Sequence, residues 1–159
     1  MFGDDWEREL EEPGFRVRSS RLAVALGAEL LGASVYEIEP AQRGMPYHVH
    51  HANEELLLLL RGSVNVRTPE GEVVLTPGDL MVFRRGRAGA HQVVNRSGEV
   101  ARYLVVSTRV FPEVAEFPDT GKIYVQAGPS ADGLAKILDS KAEREWLEGE
   151  PTEAVPKSV

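Results

Sequence analysis

The sequence predicts an all-β domain, a sandwich or small barrel of short antiparallel strands. Three observations lead there. From Phe15 to about Thr108, β-type runs alternate with turn signals about every 8–12 residues. The chain has 159 residues, a length that suits one domain. It contains no cysteine, so neither disulfides nor thiolate-bound zinc hold it together, and the core must come from packing.

Residues 1–14 read as an acidic N-terminal arm. Asp4, Asp5, Glu7, Glu9, Glu11 and Glu12 crowd it, and Trp6 and Leu10 are its candidate anchors. Pro13-Gly14 closes it. A barrel is expected over residues 15–125. Its strand-like runs are Phe15–Val17, Ala33–Ile38, Tyr47–His50, Glu55–Leu60, Val64–Arg67, Glu72–Leu75, Leu80–Phe83, His91–Val94 and Val100–Ser107. Leu22–Leu31 is read as strand or loop, because Gly27 interrupts its helix formers. Over residues 126–149 a helix is expected. Within Ser130–Glu148, Leu134, Ile137, Leu138, Ala142 and Trp146 recur at spacings of three and four, with Asp132 as N-cap. The tail 150–159 is expected to be flexible.

Composition excludes several classes. The formal net charge is −7, from 25 acids and 18 bases, the wrong sign for a broad phosphate-binding surface, so no nucleic-acid partner is expected. No apolar run, Leu56–Leu60 included, exceeds five residues, far short of a membrane span. The start of the sequence is acidic, unlike a signal peptide, so a cytoplasmic location is expected. No Gly-x-Ser-x-Gly elbow and no glycine-rich phosphate loop is present.

The four histidines fall in two clusters, His48/His50/His51 and His91. In an extended strand His48 and His50 share one face, and His51 points to the other. Glu54 and Glu55 follow at once. Two imidazoles on one face, a nearby carboxylate and a further imidazole from another strand can surround one divalent metal, with positions left for water or substrate. A helical reading would instead gather His48, His51 and Glu55, but Pro46 and Gly62 leave little room for it.

These residues resemble the cupin superfamily. Its first motif is matched by Gly44, His48, His50, Glu55 and Gly62, with a shorter spacer after Gly44. Pro77-Gly78-Asp79 is similar to the turn before the second motif, and His91 with Asn95 matches that motif's end. The usual Pro-x-Gly-x-x-His lead-in is replaced by Arg84–His91, and Phe117–Lys122 is similar to a later stretch of a subgroup often labelled sugar-phosphate isomerase. The resemblance covers roughly residues 28–122. It implies an antiparallel double-stranded β-helix barrel, or jelly roll, in which His48, His50, Glu55 and His91 ligate one divalent transition metal (Mn, Fe, Zn or Ni). Glu54 and His51 then fall outside the ligand set, and Asn95, Gly62, Gly78 and Asp79 are structural.

Three imidazoles and one carboxylate around a divalent cation leave a site charge near +1, which favours a small anionic or hydroxy-carbonyl compound. Arg43, Arg84, Arg85 and Arg87 are candidates to clamp its anionic group. The chemistry so implied is isomerase, dioxygenase or decarboxylase type, or ligand binding without catalysis. Proton-shuttle candidates are Tyr47, Tyr103 and Gln92, which spacing does not place. Leu56–Leu60 does not alternate, so both faces of that strand are expected to be covered, and a homodimer is expected.

Overall fold

The computed structural model describes residues 6–129, 133–142 and 148. Its elements are β1 (Arg8–Glu12), β2 (Phe15–Ser20), α1 (Leu22–Ala25), β3 (Leu31–Ile38), β4 (Val49–His50), β5 (Glu55–Arg61), β6 (Val64–Thr68), β7 (Gly71–Leu75), β8 (Leu80–Phe83), β9 (Gln92–Val94), β10 (Ala101–Thr108), β11 (Glu113–Phe117), β12 (Lys122–Gln126) and β13 (Ala135–Asp139). Every pairing is antiparallel. A six-stranded sheet runs β1-β2-β3-β10-β5-β8, a four-stranded one β13-β12-β11-β4, and a three-stranded one β7-β6-β9. This is the expected all-β jelly roll, and none of the described helices is long and apolar enough to cross a membrane.

The core follows from alternation along the strands. Leu57 and Leu59 of β5 are fully buried, as are Val64 and Val66 of β6 and Ile38 of β3. Each such side chain contributes roughly 1.5–3 kcal/mol of burial. Leu56, Leu58 and Leu60 face the other side and are only half-buried. The tight entry to the barrel needs Gly62. Its φ is +76°, and a Cβ there would meet the Val100 carbonyl at 2.8 Å. Asp79 accepts from Thr76 N at 2.7 Å and Oγ1 at 2.8 Å, closing the turn before β8. Asn95 is wholly buried; it donates to the carbonyls of Ile38 at 3.0 Å and Glu99 at 2.7 Å, a structural role as expected.

Three expectations change. The N-terminal arm is a strand: β1 pairs along its whole length with β2, setting Glu9 opposite Arg18 and Glu11 opposite Arg16. Trp6 anchors it as expected, its ring lying near the guanidinium groups of Arg18 and Arg102. Both arginines bond Glu37, which is buried between them. Leu22–Leu31 begins with the short helix α1, which stops before Gly27 at φ +74°. The described part of the expected C-terminal helix, residues 133–142, is not helical. Ala135–Asp139 is β13, hydrogen-bonded to the edge of β12 with Ile137 opposite Tyr124 and Leu138 opposite Ile123. The open edge of β12 offers unpaired backbone groups, and that pairing outweighs a helical apolar spacing. Asp132, Trp146 and the tail 150–159 lie outside the described residues.

Candidate metal centre

Backbone register brings the two histidine clusters together. His48 and His91 form an isolated antiparallel bridge, with His48 N–H donating to the His91 carbonyl at 3.1 Å and His91 N–H returning to His48 at 2.9 Å. Residues so paired project from the same face, and the two rings lie 4.4 Å apart. His50, two residues on, projects from that face as well, its ring 4.9 Å from that of His48. Glu55 begins β5 on the opposite sheet, next to Phe83 of β8. Its Oε2 lies 3.2 Å from His91 Nε2 and 3.5 Å from His50 Nε2. Ligand atoms of His48, His50 and Glu55 all lie within 4.8 Å of one another, and the cluster is a candidate metal site.

Each imidazole is oriented from behind. His48 Nδ1 lies 2.8 Å from the Pro46 carbonyl, and His91 Nδ1 lies 3.0 Å from the Gly89 carbonyl. A carbonyl only accepts, so both Nδ1 atoms carry the proton and each Nε2 presents a lone pair. His50 Nδ1 faces Glu113 Oε1 at 3.3 Å. Phe83 stacks flat on the His91 ring at 3.6 Å and holds it in plane.

Glu113 and Asn53 are parts of the site that the sequence reading missed. Glu113 opens β11, two residues before Ala115, the residue paired with His50. Its carboxylate also accepts from His51 N–H at 3.2 Å and from the Asn53 amide. Asn53 Oδ1 accepts in turn from Thr108 Oγ1 at 2.9 Å and Val110 N–H at 2.7 Å, tying the β4–β5 loop to the end of β10. Nothing local marks these residues. Pro112-Glu113 follows the last expected strand, and Asn53 looks like any turn residue.

The electrostatics of the cluster are uneven. Burial, reinforced by the charges of His91 and His50, lowers the pKa of His48 to about 4, so its ring stays neutral at pH 7. For His50 burial acts the same way, but the Glu113 hydrogen bond and the Glu55 charge outweigh it and raise the pKa. Glu55 is pushed up by burial and pulled down further by the three histidines, ending at about 2, a firm carboxylate. Glu113 is likewise held low: burial opposes, and the bonds to His50 and Asn53 prevail.

Two chambers reach these residues. The inner one, about 250 Å³, is walled by Tyr36, Met45, Leu57, Phe83, Val93, Tyr103, Val105, Ala115, Phe117 and Tyr124 around His48, His50, Glu55 and His91. The outer one, about 430 Å³, shares His50, Glu55 and Tyr124 with it. Gly44 makes room for the inner wall, since a Cβ there would lie 2.5 Å from the Tyr103 hydroxyl. Of the proton-shuttle candidates only Tyr103 lines the inner chamber. Tyr47 is buried with Val49 and Ala90 beneath Arg67, away from the inner chamber, and Gln92 is tied to the Met45 carbonyl at 2.9 Å. The arginine expectation is corrected. Arg43, Arg84, Arg85 and Arg87 line neither chamber; Arg84, Arg85 and Arg87 are exposed, and Arg43 sits in a separate surface cleft. His51 leaves the site, as expected, and meets Glu116 at 2.9 Å.

The chain was compared with known proteins. Residues 34–107 match the family described as the cupin domain. No curated protein sequence matches the chain. Among solved structures, a sugar phosphate isomerase of the cupin superfamily from Silicibacter pomeroyi is 27% identical, with a TM-score of 0.73 over 83% of this chain and 82% of that one. A candidate sugar phosphate isomerase from Acidithiobacillus ferrooxidans is 26% identical, with a TM-score of 0.73 over 84% and 82%. The polyketide cyclase RemF from Streptomyces resistomycificus is 27% identical, with a TM-score of 0.54 over 65% and 74%. Motif, barrel and relatives agree, and the chain carries a cupin-type domain.

Proposed function

We propose that the protein is a metal-dependent cupin in which His48, His50, Glu55 and His91 hold one divalent transition metal and a small hydroxy-carbonyl compound is turned over beside it. One observation carries the reading. The three imidazoles converge on Glu55 while an oxygen acceptor stands behind each Nδ1. That is the donor set and the outer support a Mn, Fe, Zn or Ni site requires. Without a cation, three rings and a carboxylate would be packed with their lone pairs facing one another, which is costly in a buried site.

A bound cation would supply Lewis acidity toward a carbonyl oxygen. The protein's own groups do the rest. Tyr36 is half-buried beside Tyr103, the rings stacked at 5.2 Å. Burial first, and the Glu55 charge second, raise the Tyr36 pKa, so its hydroxyl keeps its proton at neutral pH and serves as a donor. Burial raises Tyr103 well above the usual phenol range. The aromatic walls exclude water and keep the reacting centre in a low dielectric. Glu113 matters for charge: with Glu55 it offsets a divalent cation, so the inner chamber is near neutral rather than +1 and the anionic preference must come from elsewhere. The names of the two sugar phosphate isomerases reported above support an isomerase reading over a dioxygenase or decarboxylase. Binding without catalysis is the second reading, favoured by a wall whose polar groups, apart from the His/Glu cluster, are only Tyr36, Tyr103 and Tyr124.

Elemental analysis of protein purified without added metal, followed by a hydroxy-carbonyl turnover screen in air and under nitrogen, tests this. A stoichiometric metal with oxygen-independent turnover supports the isomerase reading. Oxygen-dependent turnover favours a dioxygenase, retention of ligand without turnover favours binding alone, and protein that takes up no metal contradicts the reading.

The small-molecule partner would be joined by a second copy of the chain. The outward rows of the six-stranded sheet set Leu56 between Val82 and Val106, and Leu58 between Leu80 and Leu104. Leu80 and Val82 are 62% and 56% exposed. An apolar sheet face of this kind suits pairing with its own copy. Sedimentation at micromolar concentration should give a dimer that Leu58→Asp dissociates; a monomeric wild type would refute it.

A further inference from the structure

The outer chamber carries a charge pattern that neither motif nor relatives assign. It is lined by Arg8, Arg21 and Arg109 at one end and by His50, Tyr124 and the carboxylates of Glu55 and Glu113 about the metal cluster. Arg21 is satisfied, its Nε donating to Glu7 Oε1 at 2.7 Å. Arg8 and Arg109 are not: among the described residues neither forms an ion pair, Arg8 acting on Glu7 only as a minor charge behind Arg21, and Arg109 donates to the Pro129 carbonyl at 3.2 Å. Of the arginines without an ion pair among the described residues, these two line the chamber that also reaches His50 and Glu55. They come from distant parts of the sequence, Arg8 from β1 and Arg109 from the end of β10. Pairing of β1 with β2 places Arg8 there. Its charge is felt at Tyr36, on the inner wall, where it opposes the larger effects of burial and Glu55.

We propose that Arg8 and Arg109 hold the anionic end, phosphate or carboxylate, of a substrate whose hydroxy-carbonyl end enters past His50 and Glu55. The proposal rests on the metal-site reading above for the second half only. Guanidinium forks suit both anions, since each can donate two parallel hydrogen bonds. The outer chamber thus supplies the anion preference that the near-neutral inner chamber lacks, and the N-terminal strand becomes a specificity element.

The test is calorimetric titration of metal-loaded protein with dihydroxyacetone phosphate and with uncharged dihydroxyacetone. The phosphorylated compound should bind about tenfold tighter or more, as expected for charged hydrogen bonds. Arg8→Ala and Arg109→Ala should each erase most of that preference, and Arg8→Glu more, with metal content and dihydroxyacetone affinity unchanged. Arg84→Ala, outside both chambers, should change nothing. Inorganic phosphate and succinate as competitors distinguish the anion: displacement by one or the other names phosphate or carboxylate. Equal affinity for the two compounds, binding of neither, or a preference that survives both alanine variants overturns the proposal. Titration of the metal-free protein with inorganic phosphate and succinate separates the two readings. Anion binding that depends on Arg8 and Arg109 in a protein that takes up no metal would sink the metal site and leave the arginine clamp standing.

Discussion

Strand β11 meets the adjacent residues His50 and His51 through two histidine–glutamate pairs on opposite faces. On the inner face His50 Nδ1 lies 3.3 Å from Glu113, and on the outer face His51 Nε2 lies 2.9 Å from Glu116. The outer pair is shorter, yet among the described residues no further imidazole or carboxylate gathers with it into a donor cluster. His51 is 37% exposed, and Arg87 approaches Glu116 at 3.6 Å from solvent. On the inner face His50 joins His48, His91 and Glu55 in a chamber walled mostly by apolar and aromatic side chains. Contact between a histidine and a glutamate therefore does not make a site. Convergence of several donors, each held from behind and shielded from water, does.

The largest expected effect falls on the inner face. His91→Ala removes one ligand and its stacking on Phe83, and metal affinity measured by competition with a chelator should fall by more than the ~10–100-fold typical of an outer partner. Glu113→Gln comes next. It keeps the shape but removes the charge behind His50, so affinity should drop within about 10–100-fold. Glu116→Gln, its counterpart on the outer face, should leave affinity unchanged. Equal losses from the two glutamine variants would erase the distinction between the faces.

A smaller effect concerns the metal-free protein and pH. The pKa of His48 is lowered from 6.5 to about 4, so below 6.5 the unfolded chain takes up a proton that the folded one refuses. Stability should therefore fall as pH drops from about 6.5 to 4, on the order of 3 kcal/mol from this group. Glu55, lowered from 4.5 to about 2, extends the loss toward pH 2. His50 has the opposite sign. Its raised pKa gives stability that is present below 6.5 and lost as pH rises through the folded value. Urea melts of metal-free protein should thus be most resistant near pH 6.5, and metal binding should weaken as pH falls through the raised pKa of His50, where a proton competes with the metal. The smallest effect is on the outer pair, where Glu116→Gln should change stability by no more than about 0.5 kcal/mol.

Much of the inner face was readable from sequence because its spacings are local. His48, His50 and Glu55 lie within one short segment, and strand alternation alone sends His51 the other way. Gly62, Pro77-Gly78-Asp79 and Asn95 carry turn chemistry that needs no partner to be recognised. Glu113 was not readable, since its role exists only through the β4–β11 pairing of chain segments more than sixty residues apart. The flanks failed for the same reason. The β1 sequence Arg-Glu-Leu-Glu-Glu looks like a solvated charge run until Arg16 and Arg18 are set opposite it. Ala135–Asp139 fits a helix or a strand until the edge of β12 chooses. The clamp arginines were sought next to the ligands in sequence, whereas Arg8 and Arg109 reach the outer chamber from the flanks.

The two adjacent histidines decide the matter most directly. Metal stoichiometry should be measured by elemental analysis on His50→Ala and His51→Ala, purified in parallel with wild type and loaded with the same divalent ion. The account predicts that His50→Ala loses most of its metal while His51→Ala keeps about one ion per chain. Loss of metal in His51→Ala with retention in His50→Ala would contradict it and move the site to the outer face of β4.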